Sequence, residues 1–274
     1  LANNPLPIGA TQEEIKNQKK IIKLFDNLPW KNILKKKIHP EYLDVKNSIV
    51  QSINWFFPNV EYGIILEDDC IPCPSFFYFC QTILIKYIDN QKIMHICGSN
   101  FQKSHNDKFS YYFSKYNHVW GWASWKRAWN LYDKDITFWP KLKKSNKWIK
   151  INPLWLERRY WDYFFSLCFN NKLITWDYQW LACIWNYNGT SIIPNKNLIT
   201  NVGFDKYATN TKKNKRVFCN KRMKFKSIKH PQKIEINNEA DIYTFYSHYL
   251  GVSKLNLTSI CVIISKVIKK LITR

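Results

Sequence analysis

The stretch YGIILEDDC, residues 62–70, sets three carboxylates directly behind a short apolar run. A run of that length ended by charge reads as a buried strand. Glu67, Asp68 and Asp69 crowd at its carboxyl end. Like charges so close repel, and a desolvated carboxylate takes up a proton unless a cation or donor pairs with it. On an extended chain neighbouring side chains alternate, so Glu67 and Asp69 share one side and Asp68 faces the other.

The flanking sequence gives the strand its setting. Residues 11–25 open with Thr11 and Glu14, a capping box, and carry Ile15, Ile22 and Phe25 on one helical face. Residues 45–57 repeat the period with Ile49, Ile53 and Phe56. After the acids, Ser75 is a good N-cap for an apolar helix over 75–88, and KIMHICG, closed by Gly98, reads as the next strand. Helix, helix, strand, helix, strand predicts an α/β sheet with its strands mostly parallel. Ligands of such sheets bind beyond the carboxyl ends of the strands, where the acids fall.

The second half is aromatic. Residues 110–116 read as a strand, and HVWGWASWKRAW as a Trp-Gly-Trp turn that enters a helix near Ser124. Asn152 and Pro153 are expected to start a helix over 153–169, and Thr175 another that stops at Gly189. TSIIP, 190–194, reads as a short strand, and 195–226 as a long polar loop over a site. No repeat or linker divides the chain. Residues 1–245 are therefore read as one domain, and 246–274 as a basic amphipathic C-terminal helix with Ile260, Ile264, Val267 and Leu271 on one face. That helix suits either packing on the domain or an anionic membrane surface.

Composition narrows the classes. Hydrophobic residues make up 46% of the 274, enough for a large core, and no apolar run is long enough for a transmembrane helix. The start, LANNPLPIGATQEE, has no basic-then-apolar leader pattern. The formal charge of +22 is spread along the chain and fits nucleic acid, a membrane surface or an anionic substrate. KKNKR and KRMKFK offer phosphate contacts, but no basic-aromatic nucleic-acid module is recognisable, so nucleic acid is not the expected partner. Eight scattered cysteines, with one CxxC at Cys70 and Cys73 and no second pair, read as free thiols in a reducing, cytoplasmic setting.

Two further sets of residues bear on chemistry. Asp177 lies in the first turn of its helix, where the dipole favours the ionised form, and an ionised Asp can accept a proton from an attacking hydroxyl. The same dipole accounts for it as a plain helix-start acid. Trp122, Trp125 and Trp129 have helical spacing and suit a core, whereas Trp120 and Trp122, either side of Gly121, could wall a sugar ring. For the strand acids, a hard cation, Mn2+ or Mg2+, takes oxygen ligands and leaves room for phosphate and water. One carboxylate on the metal and the next on a sugar hydroxyl is what a nucleotide-sugar site needs. The plainer alternative is an acidic strand end in solvent.

GIILEDDCIPCPSFFYFC, HVWGWASWKRAW, FWP, TWDYQW and IIPNKNLITNVGF, taken in order, resemble bacterial nucleotide-sugar transferases of the GT-A fold. They are similar to the group that includes N-acetylglucosaminyltransferase I, over about residues 1–211. The resemblance implies a Rossmann-like open sheet flanked by helices, here without a legible N-terminal first strand. It implies Asp69 on the metal, Asp68 near the ribose with Glu67 beside it, and Asp177 as catalytic base of an inverting transfer. It implies the Trp120–Gly121–Trp122 turn on the acceptor side, Gly203 closing over the donor, and Asn3 where the nucleotide base is held. The implied partners are a nucleotide-diphospho-sugar donor and a glycan or lipid-linked acceptor of surface polysaccharide synthesis, at the inner membrane face. The alternative is a sugar-nucleotide or glycan-binding protein of the same fold without turnover.

Overall fold

A computed structural model describes residues 1–29, 33–103, 108–203 and 227–251. The chain begins with β1 (Ala2–Asn3), α1 (Gln12–Leu24), β2 (Lys37–Ile38) and α2 (Val45–Phe56). The Thr11–Glu14 capping box forms as its sequence predicts, and Asp44 caps α2 by accepting from the Asn47 N–H. β1 pairs in parallel with β2 in a two-stranded sheet separate from the main one, and the main sheet contains no strand before β3 among the described residues.

Next come β3 (Tyr62–Ile65), β4 (Cys70–Pro72), α3 (Pro74–Lys86), β5 (Ile93–Cys97), β6 (Tyr111–Ser114) and β7 (Trp122–Trp125). Pro74 occupies the first turn of α3, where its missing N–H costs nothing, so the helix starts ahead of Ser75 and Ser75 is buried within it. The chain continues with α4 (Lys126–Trp129), α5 (Trp139–Lys143), α6 (Asn146–Ile151), α7 (Trp155–Phe169) and α8 (Asp177–Asn186). β8 (Thr190–Pro194), β9 (Ile199–Asn201), α9 (Asn238–Thr244) and a π-helical turn at Phe245–Tyr249 complete it.

The fold is α/β, with an open five-stranded sheet in the order β3-β7-β5-β8-β6. The sheet is mixed, which corrects the expectation of mostly parallel strands. β5 and β8 are parallel, but β7 runs antiparallel between β3 and β5, and β6 antiparallel to β8. The helix expected near Ser124 is also corrected: residues 122–125 are strand, and helix starts only at Lys126. The cause is burial on both faces. Trp122 joins one core with Trp129, Trp161 and Trp180, while Ala123 and Trp125 join the other with Phe76, Phe79 and Ile83 of α3. A strand covered on both sides shows no polar–apolar alternation, and its pattern can pass for a helix.

Asn152 does not start α7. It is fully buried at the end of α6, its Oδ1 accepts from Lys115 Nζ at 3.2 Å, and α7 begins at Trp155 behind Leu154. Tyr246, Tyr249 and Leu250 pack against the first core. Residues 252–274 of the amphipathic helix expected over 246–274 lie outside the described residues, as do 204–226 of the expected polar loop.

Candidate active site

β3, β5 and β8 share one direction, so their carboxyl ends form one edge of the sheet. Beyond β3 the chain turns through Glu67, Asp68 and Asp69 into β4, which pairs antiparallel with β9, Cys70 opposite Asn201. The Val202 N–H donates to the Asp69 carbonyl at 2.9 Å, and the Gly203 N–H to Asn201 Oδ1 at 2.8 Å. Gly203 rests on the Asp69 carboxylate. A Cβ there would lie 2.3 Å from Asp69 Oδ2, so only glycine allows this approach.

Electrostatics joins Asp177 to the same place. Glu67 is pushed up to about 8, first by burial and then by the charges of Asp69, Asp177 and Asp68. Asp68 is exposed, while Glu67 and Asp69 are part-buried. The extended-strand alternation read from sequence does not reach these acids, because β3 ends at Ile65 and Asp68 and Asp69 lie in the turn before β4.

Asp177 opens α8, and burial raises its carboxyl above the usual range. The Thr175 hydroxyl, which donates to Asp177 Oδ1, and the N–H groups of Asp177 and Tyr178 act in the opposite direction. A part-buried, donor-held carboxylate of this kind is competent to accept a proton. Tyrosines surround it. Burial, with the Asp177 charge adding, pushes Tyr160 up to about 12, and Tyr178 and Tyr249 are raised by burial, by Tyr160 and by Asp177. Sequence reading missed this ring, because Tyr160 and Tyr249 come from α7 and the π-helical turn, far from Asp177 along the chain. The run of aromatics between 155 and 169 was the available signal.

The Trp-Gly-Trp turn lies beside the acid loop. Gly121 has φ +59°, and a Cβ on it would meet Ile199 of β9 at 2.5 Å and Leu66 at 3.2 Å. Its carbonyl accepts from the Gly98 N–H at 2.7 Å. Trp120 is part-buried, with its ring 5.1 Å from that of Phe101. Trp122 departs from the expectation of an acceptor wall. It is fully buried and stacks on His95 at 5.1 Å and on Trp176 at 5.6 Å. The inward phase of β7 places it in the core, where it braces the residue preceding Asp177.

His95 is fixed in one tautomer. Trp180 Nε1–H donates to its Nδ1 at 3.1 Å, so its Nε2 carries the proton and donates to the His118 carbonyl at 3.1 Å. Burial lowers its pKa to about 4, so it remains neutral under Trp122.

Asn3 stands apart from this arrangement. Its Oδ1 accepts from Gln18 Nε2 at 3.0 Å, which ties β1 to α1, and no described contact carries it to the acids. Glu67, Asp68, Asp69 and Gly203 thus lie together around the β4–β9 pairing, Asp177 acts on Glu67 through its charge, Gly121 lies beside the loop, and Trp122 and Asn3 take supporting positions. The chain matches no family model and no curated protein.

Proposed function

We propose that the chain is a metal-dependent inverting glycosyltransferase of GT-A type. It moves a sugar from a nucleotide-diphospho-sugar to a glycan or lipid-linked acceptor. The observation that carries this reading is the convergence of Glu67, Asp69 and Asp177, with Gly203 pressed on Asp69, at the carboxyl edge of the sheet.

The residues fit a hard divalent ion, Mn2+ or Mg2+. The charges of Asp69, Asp177 and Asp68 act against ionisation of Glu67, which holds its proton near neutral pH, and a cation at Asp69 would relieve that repulsion. Among the described residues no three His, Cys, Asp or Glu side chains form a metal-holding group. Asp69 would therefore hold the ion in company with donor phosphates and water, as suits Mg2+. When bound, the ion supplies charge compensation for the leaving diphosphate.

The chain's own residues do the rest. Asp69 and Gly203 form the donor cradle, and Asp68, on the exposed side, is placed for the ribose. Asp177 takes the proton from the acceptor hydroxyl as the anomeric carbon is attacked from the opposite face. Thr175 holds that carboxylate in place, and Trp120 and Gly121 shape the acceptor side. The setting in this reading is the cytoplasm, at the inner membrane face. Among the described residues no helix is long and apolar enough to cross a membrane.

Donor turnover with Mn2+, read as released nucleoside diphosphate, tests the assignment. Asp69→Ala is expected to abolish it, and Asp177→Asn to stop transfer while donor binding persists. Normal transfer by Asp177→Asn would refute the base. Tight donor binding by the parent chain with no diphosphate released would favour the binding-protein reading instead.

A further inference from the structure

A second surface lies at the opposite end of the sheet. Where β8 begins, a cleft of about 780 Å³ opens between the α6–α7 corner and α9. Ile151, Leu154, Ile236 and Ile242 line it, with Lys147 and Lys150 at its rim.

The corner itself is unusual for a surface. Ile149 is 52% exposed and Trp155 60%, with Pro153 and Leu154 exposed between them. Three large apolar residues within seven positions, Ile149, Leu154 and Trp155, make a patch of the kind that marks an interaction site. Within and beside it Lys150 and Arg159 are exposed, and neither forms an ion pair among the described residues.

The one acid between residues 141 and 159 is Glu157, and it turns inward. It is 3% exposed and pairs with Lys115 Nζ at 2.8 Å. Asp241, on the cleft wall, is likewise engaged, accepting from the Ser114 hydroxyl and from the Lys115 N–H. The outward field of the corner is therefore positive. The Arg159 guanidinium lies 5.9 Å from the exposed Trp155 ring, so the aromatic and the cation face outward together.

We infer that the α6–α7 corner docks on an anionic lipid bilayer, with Ile149, Leu154 and Trp155 entering the interface and Lys150 and Arg159 on the head groups. An exposed Trp beside aliphatics and cations is the chemistry of an interfacial anchor. The aliphatic cleft behind the rim lysines takes a lipid head and the start of its chain. The docked face is opposite the Asp69 edge, so the donor cradle stays open to solvent. This inference deepens the membrane setting proposed above and rests on no step of the transfer. Vesicle binding and diphosphate release are separate readouts, so either can fail without the other.

Flotation of the full chain with phosphatidylcholine vesicles, with and without phosphatidylglycerol, tests it. Binding is expected only with the anionic lipid. Lys150→Ala with Arg159→Ala is expected to weaken it roughly thirty-fold, from about 1 kcal/mol per charge near the surface. Leu154→Ser with Trp155→Ser is expected to weaken it at constant charge. Lys19→Ala with Lys20→Ala, exposed on α1, removes the same charge elsewhere and is expected to leave binding within about twofold of the parent. Thermal midpoints confirm that each variant folds. The inference is overturned by absent flotation, by unchanged flotation of the corner variants, or by equal loss in the α1 variant. It is also overturned if the corner variants lose binding to single-stranded RNA and keep the vesicles.

Discussion

Glu67 is the residue on which the acid cluster can be read most directly. Its pKa in the fold, about 8, lies above the ordinary 4.5. Between those values the folded chain binds a proton that the unfolded chain has released, so stability falls as pH rises through that window. Glu67→Gln removes this contribution. Urea unfolding at about pH 5 and about pH 8 is expected to show the variant gaining stability only at the higher pH, on the order of 2 kcal/mol after allowance for partial exposure. Thr175 gives a second prediction. Its hydroxyl lowers the Asp177 pKa against the effect of burial, so Thr175→Val raises that pKa further. If Asp177 is the base, the acid limb of the rate–pH profile moves to higher pH in the variant, while the other limb stays in place. At Gly203 an added methyl would run into the Asp69 side chain, 2.3 Å from Oδ2 and 3.0 Å from Cβ. Gly203→Ala is expected to cost about 1–3 kcal/mol of stability through overpacking and to weaken donor binding, measured by calorimetry.

Among the elements, β7 carries the most consequence. It brings Trp122 under Trp176 and so supports the start of α8. Trp122→Ala is expected to lower unfolding free energy by about 3–5 kcal/mol in denaturant titration, the usual effect of emptying a large buried site. The same strand shows where sequence ceases to be legible. The β3 run and its acids could be read because charge abruptly ends an apolar stretch, and α1 because Thr11 and Glu14 cap each other visibly. β7 could not, because both its faces are covered and its tryptophans fall by chance at helical spacing. Strand direction was equally hidden. The order of helices and strands suggested parallel neighbours, but β7 inserts between β3 and β5 by tertiary packing across the Gly98–Gly121 contact. In the candidate site, Asp69, Asp177 and Gly203 were found through recognisable stretches. The tyrosines near Asp177 were not, because nothing local relates residue 160 or 249 to 177.

At the scale of the whole molecule, the chain balances a charge of +22 against a site made of acids. In the proposed reading, a divalent ion at Asp69 would bind the folded state alone and stabilise it by mass action. At about a hundredfold excess over its dissociation constant this amounts to about 2.7 kcal/mol. Thermal unfolding is expected to show a midpoint rise of roughly 5–10 °C with Mn2+, and none in Asp69→Ala. The β4–β9 ladder has a consequence for how the protein comes into being. Asp69 is made early, but the partner that fixes it, from Ile199 to Gly203, leaves the ribosome more than a hundred residues later. A nascent chain arrested before that point carries Glu67, Asp68, Asp69 and Asp177 and lacks the strand that pairs with β4, so the acid loop is fixed abruptly and late in synthesis.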